Sequence, residues 1–186
     1  MIAIIPARKG SKRLPGKNMM ELCGKPLIYW TIQAALNAET VHSIIVSTDC
    51  KKIAGYSKKF CDVNMRPPEL ATDNAPMDGV LLDVLETINA DYFEDVCCLQ
   101  PTSPLRTSED IDDAFSFCAT IVSVTSVCGN IFRRNGAIYI ARAESIYQRD
   151  VSFEAAYIMP PERSVDIDTI EDFKEAERYM NERNKL

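Results

Sequence analysis

Histidine is almost missing from this chain: His42 is the only one, and no two of the seven cysteines stand in a C-x-x-C pair. A zinc site of the usual Cys/His spacing is therefore excluded as an expectation. The cysteines Cys23, Cys50, Cys61, Cys97, Cys98, Cys118 and Cys128 fall largely inside apolar segments. They read as reduced thiols serving as small core residues, which points to a reducing cytoplasm. No apolar run approaches the roughly 20 residues needed to cross a bilayer, so no membrane partner is expected. Nor does the start of the chain read as a secretory leader, since the short apolar stretch 2–7 runs straight into basic residues. A net positive charge is lacking as well. At −6 overall, the chain has no general basic footprint for nucleic acid.

Positive charge is instead concentrated at one place. Arg8, Lys9, Lys12, Arg13 and Lys17 crowd into ten residues, which makes an anionic small molecule the natural ligand. The 186 residues, 46% of them hydrophobic, suit a single domain spanning 1–186 with its own core. Apolar β-branched runs alternate with helical stripes: strands at 2–7, 43–47, near Val63, 96–99, 121–127, 137–141 and 156–159. Helices are expected after Pro26, through 51–60, on the face Leu81, Val84, Leu85, Ile88, after a Ser108 cap with Ile111, Ala114, Phe115, Cys118 inward, and after a Thr169/Asp172 capping box with Ile170, Phe173, Ala176, Met180 inward. The implied fold class is α/β, a doubly wound, mostly parallel and Rossmann-like sheet whose ligands sit at the carboxyl ends of the strands.

The strongest local signal is Ile4-Ile5-Pro6-Ala7-Arg8-Lys9-Gly10-Ser11-Lys12-Arg13-Leu14-Pro15-Gly16-Lys17-Asn18. It reads as a strand feeding a cationic turn. Gly10 and Gly16 let backbone approach a ligand closely, and amides with cationic side chains can surround a triphosphate. A plain basic surface turn is the competing reading. It is not a Walker loop, because Asn18 stands where Ser or Thr is required after Gly-Lys. Near the other end, Asp166-Ile167-Asp168 places two carboxylates on one side of an extended chain. Such a pair can share a magnesium ion with phosphate oxygens and water, although acids at a helix entry would also suit the dipole.

These blocks, together with Val46-Ser47-Thr48-Asp49, Arg66-Pro67-Pro68-Glu69-Leu70-Ala71, Gln100-Pro101-Thr102-Ser103-Pro104-Leu105-Arg106 and Asn135-Gly136-Ala137-Ile138-Tyr139, resemble those of the CMP-sialic acid synthetases, or N-acylneuraminate cytidylyltransferases. The resemblance implies a magnesium-dependent enzyme that uses CTP and an acidic nine-carbon sugar. It assigns nucleotide binding to Arg8, Gly10, Ser11, Lys17, Asn18, Arg66 and Asp73. Catalysis goes to Arg8, Lys17 and Asp168, metal binding to Asp166 and Asp168, and the acceptor sugar to Gln100, Thr102, Ser103 and Arg133. Relative to that family the chain is short: the stretch 127–160 reads as the remnant of a dimerisation and sugar-pocket excursion, which leaves a family-type homodimer in question. Two alternatives accompany this reading, a cytidylyltransferase for the eight-carbon acid KDO and a catalytically weak CTP-binding module.

Overall fold

The computed structural model describes residues 1–118, 123–128, 133–150 and 155–183, the side chains of Cys118 and Arg133 excepted. Its chief element is a seven-stranded sheet in the order β5-β4-β1-β6-β8-β7-β9. The strands are β1 (Ile2–Pro6), β4 (Ser43–Thr48), β5 (Asp62–Met65), β6 (Asp95–Cys98), β7 (Ser123–Cys128), β8 (Arg133–Arg142) and β9 (Ala155–Met159). A two-residue hairpin, β2 (Glu21–Leu22) and β3 (Lys25–Pro26), stands apart from it. The helices are α1 (Leu27–Asn37), α2 (Lys51–Ser57), α3 (Met77–Thr87), α4 (Ser108–Cys118), α5 (Ala143–Tyr147) and α6 (Ile170–Arg183).

Strand β1 runs parallel to β4 and β6, β4 to β5, and β7 to β9, whereas β8 is antiparallel to both of its neighbours. After β1 the chain builds one side of the sheet through β4 and β5, then crosses to build the other from β6. The loops leaving β1 and β6 therefore diverge, which opens the crevice in which ligands of such sheets bind. The first strand is a fit centrepiece, since Ala3, Ile4 and Ile5 have no exposed surface and face helices on both sides.

The helical stripes behave as expected at their centres and differ at their ends. Val84 and Leu85 are buried, but Ile88 is 38% exposed because it lies past the last turn of α3. Ile170 is likewise exposed, at the entry of α6, while Phe173, Ala176 and Met180 are buried. Helix α2 ends at Ser57 and not at residue 60. The α4 cap is Thr107, one residue before Ser108: Asp110 N donates to Thr107 Oγ1 at 3.2 Å, and Thr107 N donates back to Asp110 Oδ2 at 3.0 Å. Residues 121 and 122, expected to begin a strand, lie outside the described residues. The six described cysteine side chains are free thiols. Among the described residues, no helix is long and apolar enough to cross a membrane.

Candidate active site

At the carboxyl ends of β1 and β6 lies a cavity of about 580 Å³, lined by Arg8, Gly10, Ser11, Lys12, Arg13, Lys17, Asn18, Arg66, Asp73, Gln100, Thr102 and Asp168, with Pro6, Met77 and Pro101. It thus gathers every nucleotide-binding residue expected from the sequence, two of the expected sugar-binding residues and one of the two acids.

The cationic loop after β1 is held in shape by its own polar groups. Lys9 N donates to Asp49 Oδ1 at 2.6 Å, and Asn18 Nδ2 donates to the Arg8 carbonyl at 3.0 Å. Asp49 closes the Val-Ser-Thr-Asp block, and pinning this loop is a role the sequence alone did not reveal. Gly16 has φ 71°, a left-handed conformation that a side chain would strain, and it directs Lys17 into the site. Gly10 carries no such constraint, for an added Cβ would meet only Arg8 Nη1 at 4.0 Å.

Lys17 is buried, with 8% of its surface exposed, which a lysine tolerates only with partners. Its ammonium donates to the Ile167 carbonyl and lies 3.3 Å from Asp168 Oδ1. Arg13 adds a second contact to Asp168, Nη2 to Oδ2 at 2.7 Å. Lys17 and Arg13, 151 and 155 residues before Asp168, therefore meet at its one carboxylate. On the opposite wall, Asp73 is paired with Arg8 and, at 2.6 Å, with Lys12. Lys12, then Arg8, hold its carboxyl below the ordinary carboxylate range. The loop's cations are thus neutralised by acids that a phosphate group can replace.

Arg66 is 7% exposed and uses its guanidinium locally: Nε donates to Ser47 Oγ at 3.2 Å, Nη2 to the Ser47 carbonyl at 3.0 Å and Nη1 to the Leu70 carbonyl at 3.3 Å. It ties the Pro68–Ala71 turn to the end of β4 while presenting its outer edge to the cavity. Gln100 faces the turn at Gly136, where φ is 71° and an added Cβ would lie 3.0 Å from Gln100 Oε1. Asp166 flanks the same turn, its Oδ2 3.9 Å from that position. Although residue 166 is exposed as a whole, its carboxyl is recessed toward Thr102 and Gly136. That desolvation raises its pKa above the ordinary value, and the like charge of Asp168 acts in the same direction.

One expected sugar contact, Ser103, is not part of this surface. Ser103 has no exposed surface, and its hydroxyl donates to the Asn135 carbonyl at 3.2 Å. It braces the Asn135-Gly136 turn and does not line the cavity. The side chain of Arg133 lies outside the described residues. Asn135 is itself a buried hub: its Oδ1 accepts from Ser126 Oγ at 2.6 Å, and its Nδ2 donates to Ser164 Oγ at 3.0 Å. It thereby couples β7, β8 and the segment leading to Asp166.

Among the described residues, no three His, Cys, Asp or Glu side chains cluster as a ready-made metal cage. The donors at hand are the two hard carboxylates Asp166 and Asp168. Such a pair fits a divalent cation that completes its shell with phosphate oxygens and water, as magnesium ordinarily does.

A doubly wound sheet with a cationic strand-to-loop cradle at its switch point, closed by an acid from the far end of the chain, defines a nucleotidyltransferase. Residues 2–183 match the cytidylyltransferase family, and the chain belongs to it, as a member of CMP-sialic acid synthetase type. It is 35% identical to the CMP-N,N'-diacetyllegionaminic acid synthase of Legionella pneumophila, with 97% of this chain and 96% of that protein covered. The alignment takes 223 positions, more than the 186 residues here, so it opens gaps on this side. It is also 35% identical to the N-acylneuraminate cytidylyltransferase of Escherichia coli O18:K1:H7; all of this chain is covered, but only 53% of that longer protein. Among solved structures, a CMP:2-keto-3-deoxy-manno-octonic acid synthetase complexed with CTP superimposes with a TM-score of 0.78 over 98% of both chains. At 18% identity it supports the fold.

Proposed function

We propose that the protein transfers CMP from CTP to the anomeric hydroxyl of a sialic-acid-type, nine-carbon 2-keto-3-deoxy sugar acid, releasing pyrophosphate. The observation that carries this reading is the junction of Lys17 with Ile167 and Asp168 inside the cavity that also holds Arg8. The legionaminic and neuraminate relatives support the acceptor class.

Arg8 and Lys17 grip the phosphates, exchanging their present carboxylate partners for phosphate oxygens. Ser11, Asn18 and the backbone near Gly10 line the triphosphate path, with Arg66 and Asp73 toward the nucleoside. Gln100 and Thr102 form the acceptor side. Asp166 and Asp168 would hold magnesium, which when bound neutralises charge on the phosphates. In-line attack then requires mainly that the chain position both substrates and meet the charge that develops on the α-phosphate and the departing pyrophosphate. The reading places the protein in the cytoplasm, where CTP is available and its thiols stay reduced, with no nucleic-acid or membrane partner.

The test is pyrophosphate release from CTP and magnesium with a panel of sugar acids, comparing wild type with Asp168→Ala. Turnover with sialic, legionaminic or pseudaminic acid is expected. Asp168→Ala is expected to lower it by on the order of a hundredfold, about 3 kcal/mol. Turnover with KDO alone would replace the acceptor, equal rates in both proteins would remove Asp168 from the mechanism, and inertness toward every acid would leave a CTP-binding module.

A further inference from the structure

Arg106 sits in the loop between β6 and α4, and nothing in the reaction outlined above uses it. It is 2% exposed, an unusual burial for an arginine without a paired carboxylate. Among the described residues, only one of its nitrogens finds a partner. Nη1 donates to the Ala137 carbonyl at 2.6 Å and makes a longer contact to the Gln100 carbonyl at 3.4 Å. Nε and Nη2 have no hydrogen-bond partner among the described residues. Burying donors without partners costs stability, and such a group is retained in a folded protein when it serves something else.

The position of the Ala137 carbonyl shows what is served. Strands β6 and β8 are paired from Asp95↔Arg142 to Cys98↔Tyr139, where their ladder stops. Extending that register by two residues sets Gln100 opposite Ala137. These are the two residues whose carbonyls Nη1 reaches, so the guanidinium bridges the strands just beyond their last backbone pair. The bridge lies beneath the wall of the active site. Gln100 lines the cavity on one strand, and on the other Gly136, next to Ala137, sits so close to it that an added Cβ would lie 3.0 Å from Gln100 Oε1.

The geometry points to Arg106 as a positioning residue for the acceptor sugar: it clamps the frayed ends of β6 and β8 and so fixes the pose of the Gln100 side chain. This rests on the reading above that Gln100 faces the acceptor. The clamp stays charged throughout the neutral range, because burial lowers the Arg106 pKa only to about 10. Since Nη1 alone carries the bridge, the site uses the charge and reach of arginine, not its fork.

Kinetics on the full chain test this, with acceptor KM and kcat measured beside CTP affinity by calorimetry. Arg106→Met is expected to raise the acceptor KM at least about tenfold, the cost of losing a charged hydrogen bond, with CTP affinity within twofold of wild type. Arg106→Lys, which retains one charged nitrogen, is expected to recover most of that loss, and it carries the comparison if the methionine variant does not fold. The decisive measurement is a double-mutant cycle with Gln100→Ala. If Arg106 acts through Gln100, replacing it adds less than about twofold in the Gln100→Ala background. Fully additive effects, or a parallel fall in CTP affinity, would overturn the clamp while leaving the enzyme's function intact. A wild-type protein inert toward every sugar acid would overturn the acceptor reading, and the clamp with it.

Discussion

At the scale of a residue, Asp166 shows how a site stores instability. A carboxylate recessed against Thr102 and the Gly136 turn loses hydration, and its pKa is raised by that desolvation and by the neighbouring charge of Asp168. The folded state therefore binds this proton more tightly than the unfolded chain does. Stability falls as pH rises from the ordinary carboxylate range through the raised folded value. Asp166→Asn removes the ionisation, so we expect it to raise the melting temperature at pH 7 and to lose that advantage below about pH 4, the ordinary carboxylate range. Thermal melts across this range check the point, and an unchanged or lower melting temperature at pH 7 would show that the carboxylate is not held at a cost. The same variant should lose turnover if the acid pair holds magnesium, the usual exchange between stability and function. Lys17 and Asp168 were legible in the sequence because their chemistry is unusual for their surroundings, a lysine beside glycine and acids two apart. Ser103 and Arg106 were not, since whether a polar side chain faces a cavity or a neighbouring carbonyl is decided by packing from elsewhere in the chain.

At the scale of elements, a buried acid links the β9 end of the sheet to α4. Asp110 has no exposed surface. Its carboxylate accepts from Thr107 N at 3.0 Å, from Arg163 Nε and Nη2 at 2.9 Å each, and from the Tyr157 hydroxyl at 3.1 Å. It therefore caps α4 and at the same time ties β9 and the following turn to that helix. Asp110→Ala is expected to cost about 3 kcal/mol, because it strands a half-buried arginine as well as removing a cap. Thr107→Ala touches only the cap and should cost about 1 kcal/mol. Urea midpoints for the two variants separate the roles, and equal losses would mean that the ion pair with Arg163 contributes nothing. This double duty was hidden in the sequence, where Asp110 reads as an ordinary acid in a first turn. The Thr169/Asp172 box was readable, and Thr169 N does donate to Asp172 Oδ2 at 2.7 Å. Strand existence was likewise legible from the apolar runs. The reversed direction of β8 was not, because strand polarity follows from how far connections must reach and leaves no mark on side-chain periodicity. The hairpin β2–β3 and the five-residue α5 are too short to show a period at all.

At the scale of the whole molecule, the acidic chain of net charge −6 lines one cavity with Arg8, Lys12, Arg13 and Lys17, and the walls of that cavity come from both ends of the sequence. Before nucleotide arrives, these cations are held by Asp73 and Asp168, so binding exchanges one set of charged contacts for another and needs no new fold. Ligand that binds only the folded state stabilises it by mass action, by about 2.7 kcal/mol at a hundredfold excess over Kd. The gain should not be uniform. Because the Lys17 ammonium also donates to the Ile167 carbonyl, a contact that the exchange for phosphate leaves in place, anything that immobilises the N-terminal loop also holds the segment entering α6. Hydrogen exchange with CTP and magnesium is therefore expected to show protection rising together at residues 8–18 and 166–172, and to weaken in high salt as the charges are screened. Protection confined to the loop would mean that nucleotide engages the cationic side alone, and the acid pair would then lose its place in the site.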